Sequence, residues 1–281
     1  MKKNIKLFLG LTATSLMSMS VISCGGNYIS DEQGEKILSS IGEVYKNNPQ
    51  KINFPRKTHA VYGIKTTSTG FQPHKAPDEF VHYEGAYDLD NNCQFLAIKN
   101  DDKAEKYWIY YQDGNLISAI DDGISKTYKK EAIDVASFNF LDTKIYKILN
   151  EVITTSPYDY LQTFIKEAKN TTKENVETLF TDFAKFKNKH AYYSDEESNL
   201  TFNSYVEITD GTDLDGRNYE SRHECYADIQ GYLMKEMKAK HFVTTTKGDI
   251  HTSILSSIYQ YYDEDVAFKY PNLEKFDLKN N

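Results

Sequence analysis

The spacing of apolar residues changes period several times along the chain, and each change marks an element. Ile37, Leu38, Ile41, Val44 and Tyr45 recur at three- and four-residue intervals, the spacing of one helix face. Ser30-Asp31-Glu32-Gln33 ahead of them has the form of a capping box, and Asn47-Asn48-Pro49 ends the run. Over residues 57–130 the period falls to two. Residues 58–69 are rich in Thr, Val, Ile and Tyr. In residues 80–89, Val81, Tyr83, Tyr87 and Leu89 alternate with His82, Glu84 and Asp88. Asp90-Asn91-Asn92, Asp113-Gly114 and Asp122-Gly123 are turn signals, so this stretch predicts about six strands in an antiparallel meander.

Residues 133–186 return to helical spacing. Leu141, Ile145, Ile148, Leu149 and Val152 form one stripe. Ser156-Pro157 opens a second helix with Leu161, Phe164, Ile165 and Ala168 on a face. Thr171-Thr172-Lys173-Glu174 reads as a further capping box, leading to Val176, Leu179, Phe180 and Phe183. Strands then resume at 189–195, 200–210, 219–230, 233–246 and 250–262, several of them longer than usual. The tail from Tyr270-Pro271 onward is expected to be extended. With no linker between the strand sets, residues 30–281 are expected to form a single α+β domain.

The N-terminus carries a different pattern. Lys2, Lys3 and Lys6 precede an apolar stretch that includes Leu7, Phe8, Leu9 and Leu11, and small residues lead to Cys24. A core this short is an export signal rather than a membrane span. The tetrad Val21-Ile22-Ser23-Cys24 resembles the lipobox of bacterial lipoproteins. That resemblance implies a signal peptide over residues 1–23 and a diacylglycerol on the Cys24 sulfur. It also implies a tether over 24–29 and a location on the extracytoplasmic face of the cell membrane. Two acyl chains hold a protein durably to a bilayer, where one does so marginally.

Composition sharpens this picture. Of 281 residues, 40% are hydrophobic and 26% charged, a globular balance. The formal charge of −8 becomes −11 once the three lysines of residues 1–23 are removed. An acidic body is no footprint for nucleic acid, and it leaves the acyl anchor to do the membrane holding. Cys93 and Cys225 are far apart and show no repeating pattern, so two separate buried thiols are expected in preference to a disulfide.

Candidate chemistry is sparse. The acidic turn 210–216 lacks the ligand spacing of a calcium loop and reads as a hairpin turn. His223, Glu224 and Cys225 are adjacent, and His241 and His251 can lie on neighbouring strands. Adjacent strand residues point to opposite faces, so surface histidines are expected and no metal site. The nucleophile elbow and both glycine-rich nucleotide loops are missing from the sequence. A non-enzyme without cofactor is expected. The tyrosines say more. Around Tyr107, Trp108, Tyr110 and Tyr111 both strand faces are apolar or aromatic, so something should cover each.

A lipidated N-terminus, a leading helix, a long meander, inserted helices and returning long strands resemble the LolA/LppX-like lipoprotein carriers in element order. That resemblance implies a long, curved, half-barrel-like antiparallel sheet covered by amphipathic helices, with lipid or another apolar ligand between the layers. Candidate wall residues on the helices are Phe164 and Phe180. On the sheet they are Tyr83, Tyr87, Tyr107, Ile109, Val206, Ile208, Ile254 and Ile258. Glu220, Arg222, Glu224, Lys235, Glu236, Lys238 and Lys240 give the second strand set a polar content that a wholly lipid-lined interior would not lead one to expect. The alternative is a non-enzymatic surface interaction or adhesion lipoprotein whose core is filled by its own side chains.

Overall fold

The structure is a computed structural model that describes residues 26–70, 79–100, 103–153, 155–247, 250–263 and 268–279. At 62, 64–70, 79–81, 152, 153, 155, 156, 247 and 250–263 it describes the backbone alone. Cys24 and the signal segment lie outside the described residues. The chain begins with a short strand β1 (Asn27–Ile29) and helix α1 (Asp31–Asn47). Ser30 caps α1 as its sequence implies: its hydroxyl accepts from the Gln33 amide, and the Gln33 side chain accepts from the Ser30 amide.

Six strands follow: β2 (Lys57–Gly70), β3 (Glu79–Asp88), β4 (Cys93–Asn100), β5 (Lys103–Gln112), β6 (Asn115–Asp121) and β7 (Lys126–Ala132). They pair consecutively and antiparallel. Asp113 and Gly114 both take positive φ, 50° and 76°, in the two-residue turn that joins β5 to β6.

Helices α2 (Lys144–Ile153), α3 (Thr155–Asn170) and α4 (Lys173–Glu177) come next. Here the expectation of helix through residue 186 is corrected. α4 stops at Glu177, and Phe180 belongs to a short strand β8 (Phe180–Asp182) paired with the following β10. Gly211 gives the reason. A side chain there would crowd the Phe180 ring at 3.2 Å, so its bare backbone accepts an aromatic cover that a longer helix would withdraw.

The long strands are β9 (Lys185–Ser194), β10 (Leu200–Asp213), β11 (Asn218–Gln230), β12 (Leu233–Lys247) and β13 (Ile250–Asp263), with β14 (Asp277–Leu278) near the end. Among the described residues the strands form one 14-stranded sheet in the order β1-β9-β10-β11-β12-β13-β2-β3-β4-β5-β6-β7-β14, with β8 alongside β10. All neighbours are antiparallel except β14 on β7. The described ladder is not closed into a barrel. The seam is β13 on β2, where the late strands meet the early ones over twelve residue pairs from Thr252↔Gly70 to Asp263↔His59.

One face of the sheet, called inner here, carries the helices. Leu38 and Ile41 of α1 and Tyr158, Leu161 and Ile165 of α3 pack on Tyr192, Phe202, Cys225, Ala227, Met237 and Ala239. Ile145, Tyr146 and Leu149 of α2 pack on Tyr87 and Leu96. Gly85 admits this approach, because a side chain there would collide with Leu149. The outer face of β4–β6 is covered by the C-terminal tail. Phe268, Leu273 and Phe276 pack against Cys93, Trp108, Tyr110 and Ile117, and the Trp108 indole donates to the Lys269 carbonyl at 3.1 Å. Both apolar faces of β5 are therefore covered: Tyr107 and Ile109 by the α2 cluster, Trp108 and Tyr110 by the tail. The tail's run of contacts is more than the extended segment its sequence suggests.

Candidate functional site

The charges of β11 and β12 are sorted by strand alternation. Cys225 and Ala227 face the helices, so Glu220, Arg222, Glu224, Tyr226 and Asp228 fall on the other face. Across the ladder, Glu224 stands opposite Lys240, and Tyr226 opposite Lys238, with Ala239 buried between the two lysines. On the same outer face Lys187 and Arg222 flank Glu207 at 3.0 and 3.2 Å. The neighbouring Lys187 ammonium, helped by Tyr205 and Arg222 against partial desolvation, holds the Glu207 carboxyl below its ordinary range. The charged residues Glu220, Arg222, Glu224, Glu236, Lys238 and Lys240 thus lie outside, and the inner side carries apolar, small and uncharged polar residues together with His223 and His241.

A bulge sets which inner residues meet. Gln230 pairs with Leu233 and Ile229 with Met234, but Asp228 pairs with Glu236, leaving Lys235 as the extra residue. Beyond the bulge His223 stands directly opposite His241 rather than opposite Lys240. The two imidazoles stack with centroids 3.6 Å apart and planes 34° from parallel. Surface placement was the expectation for these histidines; both are instead half-buried on the inner face. The backbone alone is described for His251.

Helix α3 ends over this pair. Glu167 Oε2 is 3.7 Å from His223 Nδ1, an ion-pair rather than a hydrogen-bond distance. The helix end is fixed by Asn188 of β9, whose Nδ2 donates to the Ala168 and Thr171 carbonyls at 2.5 and 2.6 Å. His223 holds the Glu167 carboxyl below its ordinary range, with a smaller push from His241. Burial, reinforced by the His223 charge, pushes His241 down to about 4. Burial and the Glu167 charge push the Cys225 thiol up to about 12, so it is a packed thiol and not a reactive one. Among the described residues, the Nε2 atom of His241 is buried without a hydrogen-bond partner.

Past the end of α3 the inner face opens. Along β12, Met234, Met237 and Ala239 are fully buried, whereas His241, Val243 and Thr245 are only half-buried although the strand lies mid-sheet. In register beside them run Ser256, Ile254 and Thr252 of β13, then Thr66, Ser68 and Gly70 of β2. On the β10 side Val176, Phe180 and Ile208 form a buried cluster with Phe183, Phe186 and Tyr219 packed against it.

The expected wall residues are spread over this architecture. Tyr83, Tyr87, Tyr107 and Ile109 gather around the α2 cluster, with Tyr87 only 1% exposed. Phe164 lies half-buried beside the α1–α3 core, and Tyr83 touches that core as well. Phe180 and Ile208 meet at the far end of β10, and Val206 is buried between these regions. The side chains of Ile254 and Ile258, like Cys24, lie outside the described part. Cys93 and Cys225 are free buried thiols, one under the tail and one under the helices. The acidic segment 210–216 is a turn only in its second half: residues 210–213 end β10, and Asp213 accepts from the Asp215 and Arg217 amides and pairs with the Arg217 guanidinium. Among the described residues no three His, Cys, Asp or Glu side chains converge as a metal site.

The sequence matches no known protein-family model, and no curated protein is similar enough to it to count as a relative.

Proposed function

We propose that the chain is a lipoprotein held on the extracytoplasmic face of the cell membrane by a diacylglycerol on Cys24. In this reading its sheet is half-barrel-like and holds a lipid or another apolar ligand beneath the helices. The observation that carries the reading is the interrupted burial of β12, where Val243 is left half-buried at an inner position while Ala239 is fully buried. A mid-sheet apolar residue on the helix-bearing face is ordinarily covered, and here α3 stops short of it. The segregation of charge to the outer face supports the same reading, since it leaves an inner surface that a hydrocarbon chain can wet.

The surface interaction reading, with a self-filled core, is favoured by Tyr87, Phe180, Val206 and Ile208, each 9% exposed or less. Native mass spectrometry of the full chain, extracted from membranes in mild detergent, separates the two. The carrier reading expects a lipid mass retained beyond the covalent acyl groups; only the bare lipidated chain appears if the core is filled. Anchoring is tested separately. Cys24→Ala should remove the chain from the detergent phase of a Triton X-114 partition, and unchanged partitioning would overturn the lipid site.

A further inference from the structure

The stacked histidines lie at the inner edge of the half-open surface, where its fully buried part begins. They add polar atoms to that face, and among the described residues one of their ring nitrogens is buried without a hydrogen-bond partner. His241 Nε2 is buried and has no partner among the described residues, while its ring is held against His223 at 3.6 Å and so cannot turn freely toward water. Leaving such an atom unpaired is unfavourable, which makes it a ready partner for a ligand atom that can reach it.

The charge around the pair restricts what that atom can be on. α3 contributes Glu167, and β11 contributes His223 and the Cys225 thiol. One row further along, His190 of β9 is bound to Asp31 of α1 at 2.8 Å. Among the described residues, no lysine or arginine occupies an inner-face position of β9–β11, or of β12 from Met237 to Thr245. Glu167 already places one carboxylate beside the two rings. An incoming carboxylate would be a second anion in a half-buried site without a cation of its own.

Resting on the lipid-holding reading, we infer that the His223–His241–Glu167 cluster is a headgroup site for an uncharged oxygen-bearing lipid. The ligand class is an acylglycerol, whose hydroxyl or ester carbonyl meets His241 Nε2 while its acyl chain lies along the half-open face beside Val243. A free fatty-acid anion is disfavoured there by Glu167.

The test uses the full chain in detergent, offered 1-monopalmitoylglycerol or palmitic acid at equal concentration near neutral pH, with bound lipid read by native mass spectrometry. The wild type should retain monopalmitoylglycerol about tenfold better than palmitate, the scale of one hydrogen bond. His241→Phe should bring the two lipids within about twofold of each other. Glu167→Gln, at a solvent-accessible helix position that should leave the fold intact, should raise palmitate retention relative to that of monopalmitoylglycerol. Equal or better retention of palmitate by the wild type overturns the headgroup site while leaving lipid binding standing. So does a preference that survives both substitutions. If the wild type retains neither lipid, the headgroup site and the lipid-holding reading both fall.

Discussion

Two imidazoles 3.6 Å apart do not both accept a proton at ordinary pH, and burial here puts the cost on His241, held down to about 4. The unfolded chain, with an ordinary histidine near 6.5, binds that proton more readily than the folded one does. The contribution of His241 to stability is therefore full above about pH 6.5 and is lost as pH falls toward about 4. His82, pushed down by its own burial, acts in the same direction. The melting temperature of the full chain should fall between about pH 7 and about pH 5, and His241→Phe should visibly flatten that fall. A slope unchanged by the substitution would show that other groups carry the acid response. In the sequence the two histidines are visible but their meeting is not, because it depends on the bulge at Lys235. An unbulged hairpin closing at Gly231-Tyr232 would pair His223 with Lys240, and nothing in the local sequence announces the extra residue.

At the level of elements, most of the fold is legible where one period persists. The capping box of α1, the Asp113-Gly114 turn and the eleven strands of the two main sets all follow from local spacing and turn chemistry. Short elements fail that test. α4 has only five residues and β8 three, and each is decided by what it packs on: Phe180 on Gly211 and Tyr219 rather than on a helix face. The tail shows no period either, since Phe268, Tyr270, Leu273 and Phe276 are set by the aromatic surface they cover. Trp108, the chain's one tryptophan, reports on that cover, with the Phe276 ring edge-on at 5.9 Å. Phe276 is half-buried, so Phe276→Ala should cost about 1–2 kcal/mol, less than a fully buried phenylalanine. Tryptophan emission should shift to the red in the folded state. Unshifted emission would mean that the tail does not shield the indole.

Across the whole molecule, the β13–β2 seam joins residues near the two ends of the chain, so the long inner face exists only when both strand sets are present. A fragment of residues 26–132 would lack β13, the covering helices and the tail. It should aggregate or melt without cooperativity, whereas a sharp thermal transition would argue for two independent units. The candidate ligand surface belongs to this scale, which is why it was only partly foreseen. Tyr83, Tyr87, Tyr107 and Ile109 were readable as inner positions from alternation. Which of them a helix would cover depends on where α2 and α3 end. Val243 is where that covering stops, and it offers the most direct test of whether the opening holds a ligand. Titration of residues 26–281, wild type and Val243→Trp, with the neutral fluorophore 1-N-phenylnaphthylamine should show saturable binding by the wild type. In the substituted protein it should show strongly reduced binding with a melting temperature nearly unchanged, because added bulk enters open space. A wild type that binds no probe would contradict the account, as would a Val243→Trp protein that loses stability because the space was already full.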